Sequence, residues 1–133
     1  MSTNFSFGEA MSFEIACSLA KDFHAVAVLS GNPNISGACV DGNDPISHYG
    51  EHGVSDAVLP IAGGYTMREC FFENNGCTAQ MPAEPAAGSG KHIKTVFSGC
   101  TADRPVTWIA FDGPHTPQPK DSGASQTFAN MEA

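Results

Sequence analysis

Apolar residues near the start of the chain recur at helical spacing, and later ones gather into short runs. From Gly8 to Lys21 the pattern predicts a helix, with Met11, Ile15 and Leu19 at i, i+4 and i+8 forming one apolar stripe. Ala25-Val26-Ala27-Val28-Leu29 is continuously apolar and ends at Ser30-Gly31. Such a run predicts a strand covered on both faces, as in a parallel sheet. Gly31 to Asp44 is turn-rich, and Pro45 to Gly50 is a weaker strand candidate. Tyr65 to Asn74 predicts a second helix, stopped by Asn75-Gly76. The Pro- and Ala-rich stretch Pro82 to Gly90 reads as a surface loop. Lys91 to Phe97 alternates polar and apolar, which suits a half-exposed strand. Val106 to Phe111 is a strand of β-branched and aromatic residues, with Trp108 expected in the core. The predicted order is turn, helix, strand, strand, helix, strand, strand. It describes an α/β architecture with a mostly parallel sheet and flanking helices. In this reading the residues ahead of Gly8 are a turn, so no strand precedes the first helix.

Composition narrows the choice of function. A chain of 133 residues with 41% hydrophobic and 15% charged residues is a single globular domain or part of one, and too apolar to be a disordered tail. Its formal net charge of −8, from 14 acidic against 6 basic residues, weighs against binding nucleic acid or an anionic membrane surface. No apolar run approaches the roughly 18 residues of a spanning helix. No basic stretch followed by an apolar one opens the chain, so no signal peptide is visible. The five cysteines, at 17, 39, 70, 77 and 100, include no C-x-x-C pair, which leaves a zinc ribbon or a thioredoxin-type site unsupported. Five thiols in a small acidic chain favour an oxidising compartment, and the odd number leaves at least one without a partner in the chain.

Three segments carry candidate chemistry. Asn4-Phe5-Ser6-Phe7-Gly8 nearly matches the G-x-S-x-G nucleophile elbow, in which a tight turn exposes the serine and the following backbone N–H, here that of Phe7, faces a developing oxyanion. The same residues also read as a capping box, Ser6-Phe7-Gly8-Glu9. A serine nucleophile needs a base and an acid that orients it. Asp56 lies beyond the second strand, and His115 directly follows the last strand in Asp112-Gly113-Pro114-His115. Serine, acid and histidine thus follow one another in hydrolase order at the ends of elements. His48-Tyr49-Gly50-Glu51-His52 formally matches the zinc motif H-x-x-E-H, but Pro45, Gly50 and Gly53 oppose the helix that would make its ligands converge, so no metal site is assigned. His52 reads instead as a polar residue packed near the Asp56 loop, and His24 and His92 as surface positions. Asn34-Ile35-Ser36 is a glycosylation sequon in the turn-rich segment, a better placed acceptor than Asn4-Phe5-Ser6.

Five segments together resemble fungal feruloyl esterases, secreted α/β-hydrolases related to acetyl xylan and polyhydroxybutyrate depolymerase-like esterases. They are Phe5-Ser6-Phe7-Gly8, Ala25 to Gly31, His52-Gly53-Val54-Ser55-Asp56, Asn74 to Gln80 and Phe111 to Pro119. The resemblance runs through nearly the whole chain but only through the C-terminal part of the family's catalytic domain. It implies a truncated α/β-hydrolase domain over residues 1–133 in which the strands before the elbow are missing. It implies that Ser6 is the nucleophile, Asp56 the orienting acid and His115 the base, and that Cys77 and Cys100 form a disulfide. Cys17 and Cys39 pair with each other or with cysteines elsewhere, and Cys70 is a buried free thiol. The reaction implied is hydrolysis, through an acyl-enzyme and without cofactor, of ferulate esters on plant cell-wall arabinoxylan. Phe5 and Phe7 line the acyl pocket or fill the elbow's core. An acetyl xylan esterase, or an inactive truncated remnant, is the alternative reading.

Overall fold

The computed structural model describes residues 2–6, 8–33, 44–101, 103–116 and 120–125. Its elements are β1 (Ser2–Phe5), α1 (Gly8–Ser18), β2 (Ala25–Leu29), β3 (Ser47–Gly53), α2 (Ile61–Asn74), β4 (His92–Val96) and β5 (Val106–Phe111). One five-stranded sheet has the order β1-β2-β3-β5-β4. The first four of these strands run parallel, and β4 joins β5 antiparallel at the edge.

The expected turn at the start of the chain is a strand. Ser2 to Phe5 lies beside Val26 to Leu29, so β2 has neighbours on both sides. Four mostly polar residues give no strand signal of their own; the parallel partner supplies the hydrogen bonds that hold them extended. A strand therefore does precede Ser6, contrary to the expectation that the strands before the elbow are missing.

Both helices pack on one face of the sheet. Phe13, Ala16 and Ala20 from α1 and its C-terminal extension share a core with Met67 and Phe71 of α2 and with Val26, Val28, Val106 and Trp108 of the sheet. Phe13 and Phe71 meet edge to face at 5.9 Å. Trp108, expected in the core, is buried there. The predicted stripe is not the buried one: Met11 is 66% exposed and Leu19 45%, whereas Ser12, Phe13, Ala16 and Cys17 are buried. The two faces lie roughly 130° apart around the helix at about 100° per residue. Small residues at 12, 16 and 20 let the helix approach the sheet, and this close fit outweighs the apolarity of Met11 and Leu19.

The second helix begins at Ile61, four residues before the predicted Tyr65, because Gly63-Gly64 hides its first turn from any propensity argument. Packing requires Gly64: a Cβ there would lie 2.5 Å from His52 Nδ1 and 2.8 Å from a Trp108 ring carbon. The helix ends as predicted at Asn75, which is also a fully buried cross-link. Its side chain accepts from Ile46 N–H and donates to the Ile46 and Arg104 carbonyls, tying the entries of β3 and β5 together.

The strand predicted to stop at Gly50 continues to Gly53, so His48, Gly50 and His52 face α2. Glu51, between them, points to the opposite face. Two histidines four residues apart on an extended strand are about 13 Å apart, so the H-x-x-E-H residues do not converge. His48 stacks on Phe71, and burial with the nearby Arg68 charge lowers its pKa to about 3. His92 is not a surface position: its side chain is largely buried and pairs with Asp121 at 2.8 Å. His24 is exposed. Cys77 and Cys100 are disulfide-bonded, and Cys70 is free and half-buried. Cys17 is also disulfide-bonded. Cys39, Phe7 and the sequon residue Asn34 lie outside the described residues.

Candidate active site

In a parallel sheet the carboxyl ends of the strands lie along one edge, where side chains from distant parts of a sequence can meet. Ser6, Asp56 and His115 follow β1, β3 and β5. Ser6 takes a left-handed backbone conformation, φ 58, directly after β1, with its N–H bonded to the Leu29 carbonyl at 3.1 Å. A non-glycine residue there carries local strain that its surroundings must hold in place. The bend turns Ser6 Oγ toward the sheet edge, 2.7 Å from His115 Nε2.

The loops carrying the acid and the histidine are fastened to each other. Val54 N–H bonds to the Phe111 carbonyl at 2.9 Å, and Ser55 reaches the Gly113 carbonyl through its N–H at 3.2 Å and its hydroxyl at 2.9 Å. Gly53 permits this contact, because a Cβ there would sit 2.3 Å from the Gly113 oxygen. His115 Nδ1 then lies 2.8 Å from Asp56 Oδ2. The other carboxylate oxygen, Oδ1, accepts the N–H groups of Val58 at 2.9 Å and Leu59 at 2.8 Å. Burial opposes ionisation of Asp56, but the hydrogen bond to His115 and the two backbone N–H groups outweigh it and hold its pKa below the usual carboxylate range. An ionised Asp56 only accepts, so the His115 proton sits on Nδ1 and Nε2 is free to accept from the Ser6 hydroxyl.

The structure thus brings all three candidate side chains into one hydrogen-bonded chain. Phe5, assigned in sequence to an acyl pocket or to the elbow's core, is 43% exposed, and its ring lies 5.2 Å from that of His115. It is not a core residue. Asn4 occupies β1 opposite Val28. A separate cleft of about 350 Å³, lined by Lys21, His24, Asp44 and Arg104 among others, opens at the amino-terminal ends of the strands, away from Ser6. Sequence reasoning missed two contributors to the edge. Ser55 stands in the sequence only as part of a motif, and the Leu59 backbone, which gives one N–H to Asp56 and one carbonyl to His52, has no sequence signal at all. His52 does pack by the Asp56 loop, as its spacing suggested.

No protein-family model matches the chain. Curated fungal proteins do align with it. Feruloyl esterase C of Emericella nidulans is 49% identical over 123 residues, covering 92% of this chain and 44% of that protein. A probable feruloyl esterase C of Aspergillus terreus is 50% identical over 121 residues, covering 91% and 43%. Feruloyl esterase D of Neurospora crassa is 43% identical over 129 residues, covering 96% and 43%. The chain spans less than half the length of these relatives. The likeness read from its motifs therefore stands on alignment as well: this chain is a homologue, over about nine-tenths of its own length, of fungal proteins named feruloyl esterase C and D.

Proposed function

We propose that this chain carries the reacting triad of a serine carboxylesterase of feruloyl esterase type, with Ser6 as nucleophile, His115 as general base and Asp56 as the acid that orients it. What supports this reading most is the continuous relay from Ser6 Oγ to His115 Nε2 at 2.7 Å and from His115 Nδ1 to Asp56 Oδ2 at 2.8 Å. A hydroxyl, an imidazole and a carboxylate in this order form the arrangement that activates a serine.

In the proposed reaction His115 Nε2 takes the hydroxyl proton as Ser6 Oγ attacks the ester carbonyl carbon. The carbonyl π pair moves to oxygen, and the backbone N–H of Phe7 stabilises the resulting anion. Collapse expels the alcohol, which leaves with the proton from His115, and an acyl-Ser6 remains. Water, deprotonated by His115, then releases the acid. Charge on the imidazolium is balanced by Asp56 throughout, and no cofactor takes part.

The proposed substrates are hydroxycinnamate esters, ferulate above all, on plant cell-wall arabinoxylan. Two observations favour them: the names of the relatives, and the exposed Phe5 ring beside His115, on which an aromatic acyl group can stack. The proposed compartment is extracellular, supported by the disulfide-bonded state of Cys17, Cys77 and Cys100. Asn34 is the proposed glycan acceptor there. The test is hydrolysis of methyl ferulate and p-nitrophenyl acetate by the purified chain. Turnover that vanishes in Ser6→Ala supports the proposal; equal turnover in that variant overturns it.

A further inference from the structure

Asp56 has a neighbour that the relay does not use. His52 is completely buried near the end of β3, beneath α2 and beside the Trp108 ring at 6.2 Å. Its Nε2 lies 2.8 Å from the Leu59 carbonyl oxygen and 3.3 Å from Asp56 Oδ2. Both of those oxygens only accept, so the His52 proton sits on Nε2. Its Nδ1 is then a buried lone pair with no hydrogen-bond partner, pressed against the Gly64 backbone. A leucine would fill the same space without stranding a polar atom. Packing alone therefore gives no reason for an imidazole here, whereas the Nε2–H supplies one.

That N–H closes the turn holding the acid. Asp56 Oδ1 accepts the Leu59 N–H on one side of residue 59, and His52 donates to the Leu59 carbonyl on the other. Fixing Oδ1 and Leu59 together leaves Oδ2 a single direction in which to point. Burial, the largest influence on His52, also lowers its pKa and keeps the ring neutral. A neutral ring offers Asp56 a dipole rather than a second cation competing with the imidazolium formed on His115.

We propose that His52 is a positioning residue of this esterase site, whose Nε2–H clamps the Leu59 carbonyl and flanks Asp56 so that Oδ2 stays aimed at His115. The inference rests on the reading of Ser6, His115 and Asp56 as the reacting triad.

The test compares His52→Gln, His52→Asn and His52→Leu in the full chain. Glutamine places an amide N–H near the Nε2 position, asparagine places one near Nδ1, and leucine has none. Two signals are read: the slowly exchanging Nδ1–H proton resonance of His115, and kcat and KM on methyl ferulate. His52→Gln is expected to keep the resonance and most of kcat. His52→Asn and His52→Leu are expected to lose the resonance and about 10²-fold in kcat, the usual scale for misplacing a catalytic group by an ångström, with KM little changed. Retention of resonance and kcat in His52→Asn, or equal losses in all three variants, overturns the proposal. If His52→Leu does not fold, the Gln and Asn pair decides alone. Ser6→Ala separates the two readings. Undiminished turnover there removes the triad, whereas lost turnover there with a persistent His115 resonance in His52→Asn removes only the role of His52.

Discussion

Asp56→Asn changes no volume and removes one charge, and the surrounding hydrogen bonds dictate how the new amide must sit. The position of Oδ1 faces two donors, the N–H groups of Val58 and Leu59. Only the amide oxygen can accept them, so the NH2 group is forced toward His115 Nδ1, 2.8 Å away in the native site. His115 Nδ1 must then accept, and its single proton moves to Nε2, where it meets the Ser6 hydroxyl at 2.7 Å. In that tautomer the imidazole cannot take the serine proton. The same error in a protease triad costs about 10⁴ in kcat, or roughly 5.5 kcal/mol of barrier. The cost to folding is smaller. Two charge-assisted hydrogen bonds to backbone become neutral ones, a loss of about 1–2 kcal/mol. The assay pairs initial rates on p-nitrophenyl acetate and methyl ferulate with the ¹⁵N shifts of His115, which report the tautomer whether or not turnover is measurable, and with a thermal melt. The expected result is a folded variant, about 10⁴-fold slower, with the His115 proton on Nε2. A folded variant within about tenfold of the native rate, or one whose His115 keeps its Nδ1–H, would refute the reasoning.

Other consequences concern stability as well as rate. His48, with a folded pKa of about 3 against 6.5 when unfolded, is protonated only in the unfolded chain over that interval. Stability therefore falls as pH drops from 6.5 toward 3, by about 2 kcal/mol at pH 5. His48→Leu should flatten this part of the curve in urea melts at pH 7 and pH 5. Gly53→Ala drives a Cβ into the Gly113 and Pro114 carbonyls. It should lower the melting temperature and, by displacing the loop that carries His115, reduce ester hydrolysis about 10²-fold. Removing the bridge between Cys77 and Cys100, which closes a sequence separation of 23, should cost roughly 3–4 kcal/mol in the chain-entropy model. Denaturant melts of the Cys77→Ser, Cys100→Ser double variant measure it, and an unchanged midpoint would count against the model.

Local signals fixed much of this protein before any coordinate. The unbroken apolar run at Val26 and Val28 announced a strand, although only the face carrying those two valines is buried and Ala25, Ala27 and Leu29 on the other are half-buried; Val106 to Phe111 announced another. Asn75-Gly76 announced the end of a helix. Ser6, Asp56 and His115 were legible as a set because each borders a predicted element and because their order suits hydrolase chemistry. These are short-range properties, written in adjacent residues. What tertiary structure alone decided are matters of partnership. Ser2 to Phe5 is a strand only because β2 lies beside it, and α1 buries Ser12, Phe13 and Ala16 rather than Met11 because the sheet meets that side. Gly63 and Gly64 carry no side chain because Asn32 fills the space beside the first and the rings of His52 and Trp108 the space beside the second. The hydrogen bonds from Ser55 to Gly113 and from His52 to Leu59 join groups whose meeting depends on the register of three parallel strands. No window of sequence contains that register, which is why the triad could be named from the chain but its support could not.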